Sequence, residues 1–157
     1  MARRSTVMIV TGPAGSGKTY RRASVFLYNE FLQMEEGVHI SNFPLKLDAI
    51  EEALVKNHGW ATGQLEKRVK MIPEAELTKW IKGTSGPWDY FRETDLEGAH
   101  VAIDEIHNFC GSNSSPAIKR QWQEWLGELR HRGATIEFLS QHPLKVAKEI
   151  IQECEIK

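Results

Sequence analysis

A short apolar, β-branched run, Thr6 to Val10, leads directly into Gly12-Pro13-Ala14-Gly15-Ser16-Gly17-Lys18-Thr19. Glycines at 12, 15 and 17 let a backbone turn tightly and aim its N–H groups at one point. From Thr19 onward the chain reads as a helix with Ala23, Phe26, Leu27, Phe31 and Leu32 on one face, and the positive end of that helix points at the same place. Strand, glycine loop and helix in this order make a phosphate site. Lys18 can reach β- and γ-phosphates as a mobile point charge, and the Thr19 hydroxyl is placed to ligate a bridging Mg²⁺. Gly12, Pro13, Ala14, Gly15, Ser16, Gly17, Lys18, Thr19 and Tyr20 are therefore the expected nucleotide-binding segment, with ATP and Mg²⁺ as cofactors.

Strand and helix patterns then alternate, which implies a parallel sheet. Val38 to Ile40 reads as a second strand after a stop at Gly37, and Leu47 to Asn57 as a helix opening near Asp48. Pro73 to Leu77 starts a short helix, and Gly83 to Pro87 is a loop; the remainder of His58 to Gly98 has no regular period. Ala99 to Ile103 is an apolar strand, Ala117 to Arg130 a helix, Thr135 to Leu139 a strand and Leu144 to Gln152 a closing helix. The expected fold is α/β: a three-layer α/β/α P-loop NTPase with a mainly parallel, RecA-like sheet. It would occupy residues 1–157 as one domain, expected to be a piece of a longer protein.

Ligand sites in parallel sheets lie at the carboxyl ends of strands. The strand His100 to Ile103 ends in Asp104-Glu105 at such a position. Asp104 suits the Mg²⁺ shell, and Glu105 a general base that orients and deprotonates the attacking water. Gln141 stands at the end of the next apolar strand, where its amide could contact γ-phosphate or water and report nucleotide state; the bland alternative is a cap before His142-Pro143. Arg130 and Arg132 are either a solvated helix end or an arginine finger offered to a neighbouring subunit's ATP, which requires an oligomer.

Composition sets limits. Lys and Arg number 20 and Asp and Glu 21, so any contact with DNA must come from local basic patches. The two cysteines, Cys110 and Cys154, have neither zinc-site spacing nor a disulfide framework, which fits a reducing cytoplasm. The histidines at 107, 131 and 142 lack metal-ligand spacing, and Trp122 and Trp125 suit packing better than base stacking. No stretch approaches the roughly 20 apolar residues that span a bilayer.

Five segments occur in one order: the glycine-rich loop, Ser41-Asn42-Phe43-Pro44-Leu45, Asp104-Glu105-Ile106-His107-Asn108-Phe109, Arg130-His131-Arg132-Gly133 and Ser140-Gln141-His142-Pro143. The series resembles the zonula occludens toxin (Zot) family, which includes assembly ATPases of filamentous phages and is related to FtsK-HerA DNA-pumping motors. That resemblance implies a sheet with the Gln141 strand between the phosphate-loop strand and the Asp104 strand, and ATP at a subunit boundary of a homo-oligomeric ring with a trans arginine. It also implies double- or single-stranded DNA as substrate and capsid portal or assembly proteins as partners. The setting would be the bacterial host cytoplasm or the cytoplasmic face of its inner membrane. The sequence departs from the family after Phe109, where Cys110-Gly111-Ser112-Asn113 replaces an aromatic, a proline and an arginine, and the family's later membrane span is absent.

Other readings fit less well. Asp104-Glu105-Ile106-His107 also satisfies the DExH box of helicases, but those need a second motor domain. Nucleoside-type kinases share the loop and the acid pair, yet the usual cysteine pairs and a lid motif are missing. A GTPase needs an Asn-Lys-x-Asp reader, which is absent. A non-hydrolysing nucleotide switch sits poorly with intact Lys18, Thr19, Asp104 and Glu105, and a secreted binding protein with the lack of disulfides.

Overall fold

The computed structural model describes residues 6–11, 38–43 and 47–154. Strands β1 (Thr6–Thr11) and β2 (His39–Ser41) are followed by helices α1 (Leu47–His58) and α2 (Gln64–Arg68), then β3 (Val69–Met71). Helices α3 (Glu74–Lys82) and α4 (Pro87–Tyr90) precede β4 (His100–Asp104), and α5 (Pro116–His131) connects it to β5 (Thr135–Ser140). The last described helix is α6 (Lys148–Glu153). These strands form one sheet in the order β1-β5-β4-β2-β3, with every pairing parallel. The expected parallel α/β fold is observed, and β5 lies between β1 and β4 as the family resemblance implied.

Helix α5 explains how the centre of the sheet is covered. Ser115 caps it by accepting the Ile118 N–H at 3.2 Å, Pro116 supplies a pre-set first turn, and Gly133 closes it in the left-handed region at φ 68°. Trp122, Trp125, Leu126 and Leu129 recur at helical spacing and are buried with Val101, Ile103, Ile136 and Phe138 of the two central strands. Trp80 of α3 meets Trp122 edge-on at 6.2 Å, so both tryptophans pack in the core as expected. On the opposite face Phe43, Ala102 and Leu139 form a smaller cluster with Val10.

Several elements differ from the sequence reading: the short helices α2 and α4, strand β3 and the closing helix. Strand β3 falls in the stretch with no clear period: only Val69 of its three residues is buried, against Leu54 and Leu65, while Lys70 blunts an outer edge. The closing helix expected from Leu144 to Gln152 is broken. Pro143–Lys145 is a single 3₁₀ turn, Val146 and Ala147 are extended, and the helix begins at Lys148. Tertiary pairing overrides local pattern there, because Val146 bridges Gly111 and the Ala147 N–H donates to the Cys110 carbonyl at 3.1 Å. The helix expected from Thr19 to Gly37 lies outside the described residues.

Candidate nucleotide site

The carboxyl edge of the sheet gathers the polar residues. Beyond the last ladder pair of β2 and β4, Asn42 continues the pairing with its side chain: the Asp104 N–H donates to Asn42 Oδ1 at 2.7 Å, and Asn42 Nδ2 donates to the Asp104 carbonyl at 3.0 Å. The end of β4 is thereby held on its β2 side past the last ladder pair, while Asp104 stays paired with Leu139 of β5 on the other side. Glu105 follows at φ 56°, the one non-glycine residue with positive φ among the described residues. That conformation costs about 1–2 kcal/mol for an L-residue. It turns the chain sharply, and the Glu105 N–H donates to Asp104 Oδ1 at 2.9 Å. Strained backbone of this kind clusters at functional sites, which singles Glu105 out as the candidate on this edge.

Both oxygens of the Glu105 carboxylate are engaged. Gln141 Nε2 donates to Oε1 at 2.9 Å, and Asn108 Nδ2 donates to Oε2 at 3.2 Å. Asn108 sits on the 3₁₀ turn Ile106–Asn108, where residues three apart stand one above the other. Thus the structure joins three expected residues, Asp104, Glu105 and Gln141, and adds Asn42 and Asn108.

The buried Ser140 organises the far side of this cluster. Its Oγ accepts the His142 N–H at 3.0 Å and lies 3.0 Å from His107 Nδ1, and the two imidazoles meet edge-on at 5.2 Å. Burial chiefly pushes the His107 pKa down; Glu105 raises it, His142 and Lys145 lower it, and Asp104 raises it. A neutral His107 that accepts the Ser140 hydroxyl proton at Nδ1 carries its own proton on Nε2.

The glycine loop, Gly12 to Thr19 with Tyr20, lies outside the described residues, so Lys18 and Thr19, the expected metal ligand, do too. Its point of departure is described: Thr11 ends β1 in register with Ser140, one residue before Gln141. Mg²⁺ commonly uses one or two carboxylates plus substrate phosphates, and Asp104 beside Glu105 supplies that oxygen donor chemistry. Among the described residues there is no group of three or more His, Cys, Asp or Glu that could hold a metal ion.

Arg130 and Arg132 stand elsewhere. Helix α5 ends where β5 begins, so both lie toward the amino edge of the sheet, and the six residues of β5 separate them from Gln141 by roughly 16–20 Å. Arg130 is tied within its own chain: Nη2 donates to the Glu153 carbonyl at 2.6 Å and pairs with the Glu153 carboxylate at 2.8 Å. Arg132 is exposed at the cap of α5.

Comparison with known proteins places this geometry. The model of the family described as Zonular occludens toxin (Zot) matches residues 6–157. The N-terminal domain of zonular occludens toxin from Neisseria meningitidis is similar in structure, with TM-score 0.57 at 17% identity, covering 96% of this chain and 74% of that one. The DNA-packaging ATPase of Sulfolobus turreted icosahedral virus gives TM-score 0.56 at 17% identity over 99% of this chain and 75% of that one. The genome packaging NTPase of Sulfolobus turreted icosahedral virus 2, in complex with AMP, gives 0.61 at 15% identity over 98% and 74%. At these identities the likeness is one of fold. No curated protein matches the sequence. Among the described residues no helix is long and apolar enough to cross a membrane.

Proposed function

The chain belongs to the zonular occludens toxin (Zot) family, and we propose that it is a P-loop ATPase coupling MgATP hydrolysis to DNA movement in phage genome packaging or virion extrusion. The observation that carries this reading is the Glu105 carboxylate, held between Gln141 and Asn108 directly beside Asp104 at the carboxyl edge. A carboxylate so placed can take the proton of a water that attacks the γ-phosphorus, and Gln141 on the same carboxylate aims that water. Gly12 to Tyr20 would wrap the phosphates, Lys18 would neutralise them, and Thr19 with Asp104 would hold the Mg²⁺. A metal held there would supply positive charge against that developing on the phosphoryl oxygens.

Similarity in fold to a DNA-packaging ATPase supports DNA as the substrate. A ring of copies would bring the exposed Arg132 of one subunit toward the ATP of the next; Arg130, already paired with Glu153, is the weaker candidate. Such a ring would work in the host cytoplasm or on the cytoplasmic face of its inner membrane, beside portal or assembly proteins.

The test is phosphate release by the full chain with and without duplex DNA, next to Glu105→Gln. Hydrolysis should rise with DNA and with protein concentration, and vanish in the variant. Hydrolysis indifferent to DNA, or γ-phosphate appearing on a nucleoside, sinks the motor reading.

A further inference from the structure

The chain leaving β4 and the chain leaving β5 enclose an open groove of about 600 Å³. His107, Asn108, Ser112 and Asn113 come from the first segment, and His142 and Lys145 from the second. Backbone pairing fixes the two segments against each other: Gly111 bridges Val146, and the Ser112 N–H donates to the Lys145 carbonyl at 2.8 Å. A Cβ on Gly111 would lie 3.1 Å from the Lys145 carbonyl oxygen across the groove floor and 2.7 Å from the His107 carbonyl oxygen of its own segment, so glycine suits both the turn and the close approach of the two segments. The groove is thus built into the fold.

Its chemistry is selective. Among the described residues no carboxylate lines it, and Ile81 is the one large apolar residue that does. Hydroxyls, amides, imidazoles and an ammonium are the groups that hold phosphate oxygens along a nucleic-acid backbone. A small-molecule site is enclosed and mostly apolar, and this groove is neither. Leu144, 95% exposed next to Lys145, offers an apolar contact for a sugar face.

Two short paths join the groove to Glu105. Asn108 lines the groove and donates to Glu105 Oε2. Ser140 Oγ links the His107 ring to the His142 N–H, and Gln141 between Ser140 and His142 holds Oε1. The geometry points to this groove as the seat of the DNA backbone, where phosphates held by Ser112, Asn113 and Lys145 move Asn108 and Gln141 and so set the Glu105 carboxylate for hydrolysis. This rests on the ATPase reading above and adds where nucleic acid is gripped and how it reaches the water-activating group.

Anisotropy of a labelled DNA duplex titrated with the full chain tests it, using Lys145→Glu, Asn113→Asp and, as a control on the outer strand, Lys70→Glu. Both groove variants should lose roughly tenfold or more in affinity while the control keeps it. For Lys145→Glu the slope of log affinity against log salt should fall by about 1. Hydrolysis without DNA should stay at the wild-type rate in both, with stimulation by DNA lost. Wild-type affinity, salt slope and stimulation in both variants would overturn the groove assignment and leave the motor reading standing. A wild-type chain that neither binds duplex DNA nor responds to it overturns the motor reading and this inference together.

Discussion

Gln141 reaches from the end of β5 to the acid at the end of the adjacent strand, where its Nε2 donates to Glu105 Oε1 at 2.9 Å. With Asn108 on the other oxygen, the carboxylate is held by two amides. On the proposed role of Glu105 as the base, removing it and removing its holders should have different kinetic signatures. Glu105→Gln should lower kcat by about 10²–10⁴ with nucleotide affinity retained, since proton transfer is lost and the binding loop is untouched. Gln141→Ala and Asn108→Ala should lower kcat by roughly 10-fold with little change in KM, the pattern of a misaimed base. Phosphate-release kinetics beside equilibrium binding of a fluorescent nucleotide separates the two.

The left-handed backbone at Glu105 makes a prediction about stability. Glu105→Ala loses both side-chain hydrogen bonds and keeps the strained φ of 56°, whereas Glu105→Gly loses the same bonds and relaxes it. The glycine variant should be more stable than the alanine variant by about 1 kcal/mol in urea unfolding. Elsewhere in a helix or strand the order is reversed, so equal stabilities or a more stable alanine variant would argue against strain at this residue.

Arg130 and Arg132 should separate cleanly. The Arg130–Glu153 pair is partly exposed, with side-chain exposures of 46% and 22%, so screening limits it to about 0.5–1 kcal/mol. A double-mutant cycle with Glu153→Gln should return a coupling of that size. Arg130→Ala should lower stability by a similar amount and leave hydrolysis per folded molecule within about twofold. Arg132→Ala should leave stability unchanged and lower hydrolysis at protein concentrations that assemble rings, by about 10³-fold if it acts in trans.

Much of the acid edge was legible because its signals are local. An apolar run that ends in Asp104-Glu105, and another that ends in Ser140-Gln141, each place polar residues at a strand's carboxyl end without knowledge of the neighbours. Asn42 could not be read this way, since an asparagine after a three-residue strand looks like a turn until β2 is known to lie beside β4. Asn108 carried a usable signal, its spacing of three from Glu105, but that spacing brings the side chains together only where the chain turns helically, as the 3₁₀ turn does here. The same non-local logic hid β3, with its single buried Val69, and turned Val146 and Ala147 out of a helical pattern into a bridge with the Gly111 segment. Arg130 looked available because Glu153, its partner, is distant in sequence.

His39, His100 and Glu137 form a buried polar group across three adjacent strands, and it makes stability depend on pH. His39 Nδ1 lies 2.9 Å from His100 Nδ1, and His100 Nε2 lies 3.4 Å from Glu137 Oε1. Burial chiefly, then His100, lowers the His39 pKa from its model-compound value of 6.5 to about 3, against the raising field of Glu137. The folded state therefore keeps His39 neutral at pH values where the unfolded chain protonates it. Its contribution to stability is complete above about pH 6.5 and is lost progressively as pH falls from there toward 3. Each pH unit inside that window should cost about 1 kcal/mol. Urea unfolding at pH 7.5 and 5.5 should show this fall in the wild type, and a smaller one in His39→Gln, which cannot take up the proton. An unchanged slope in that variant would assign the pH dependence to other groups.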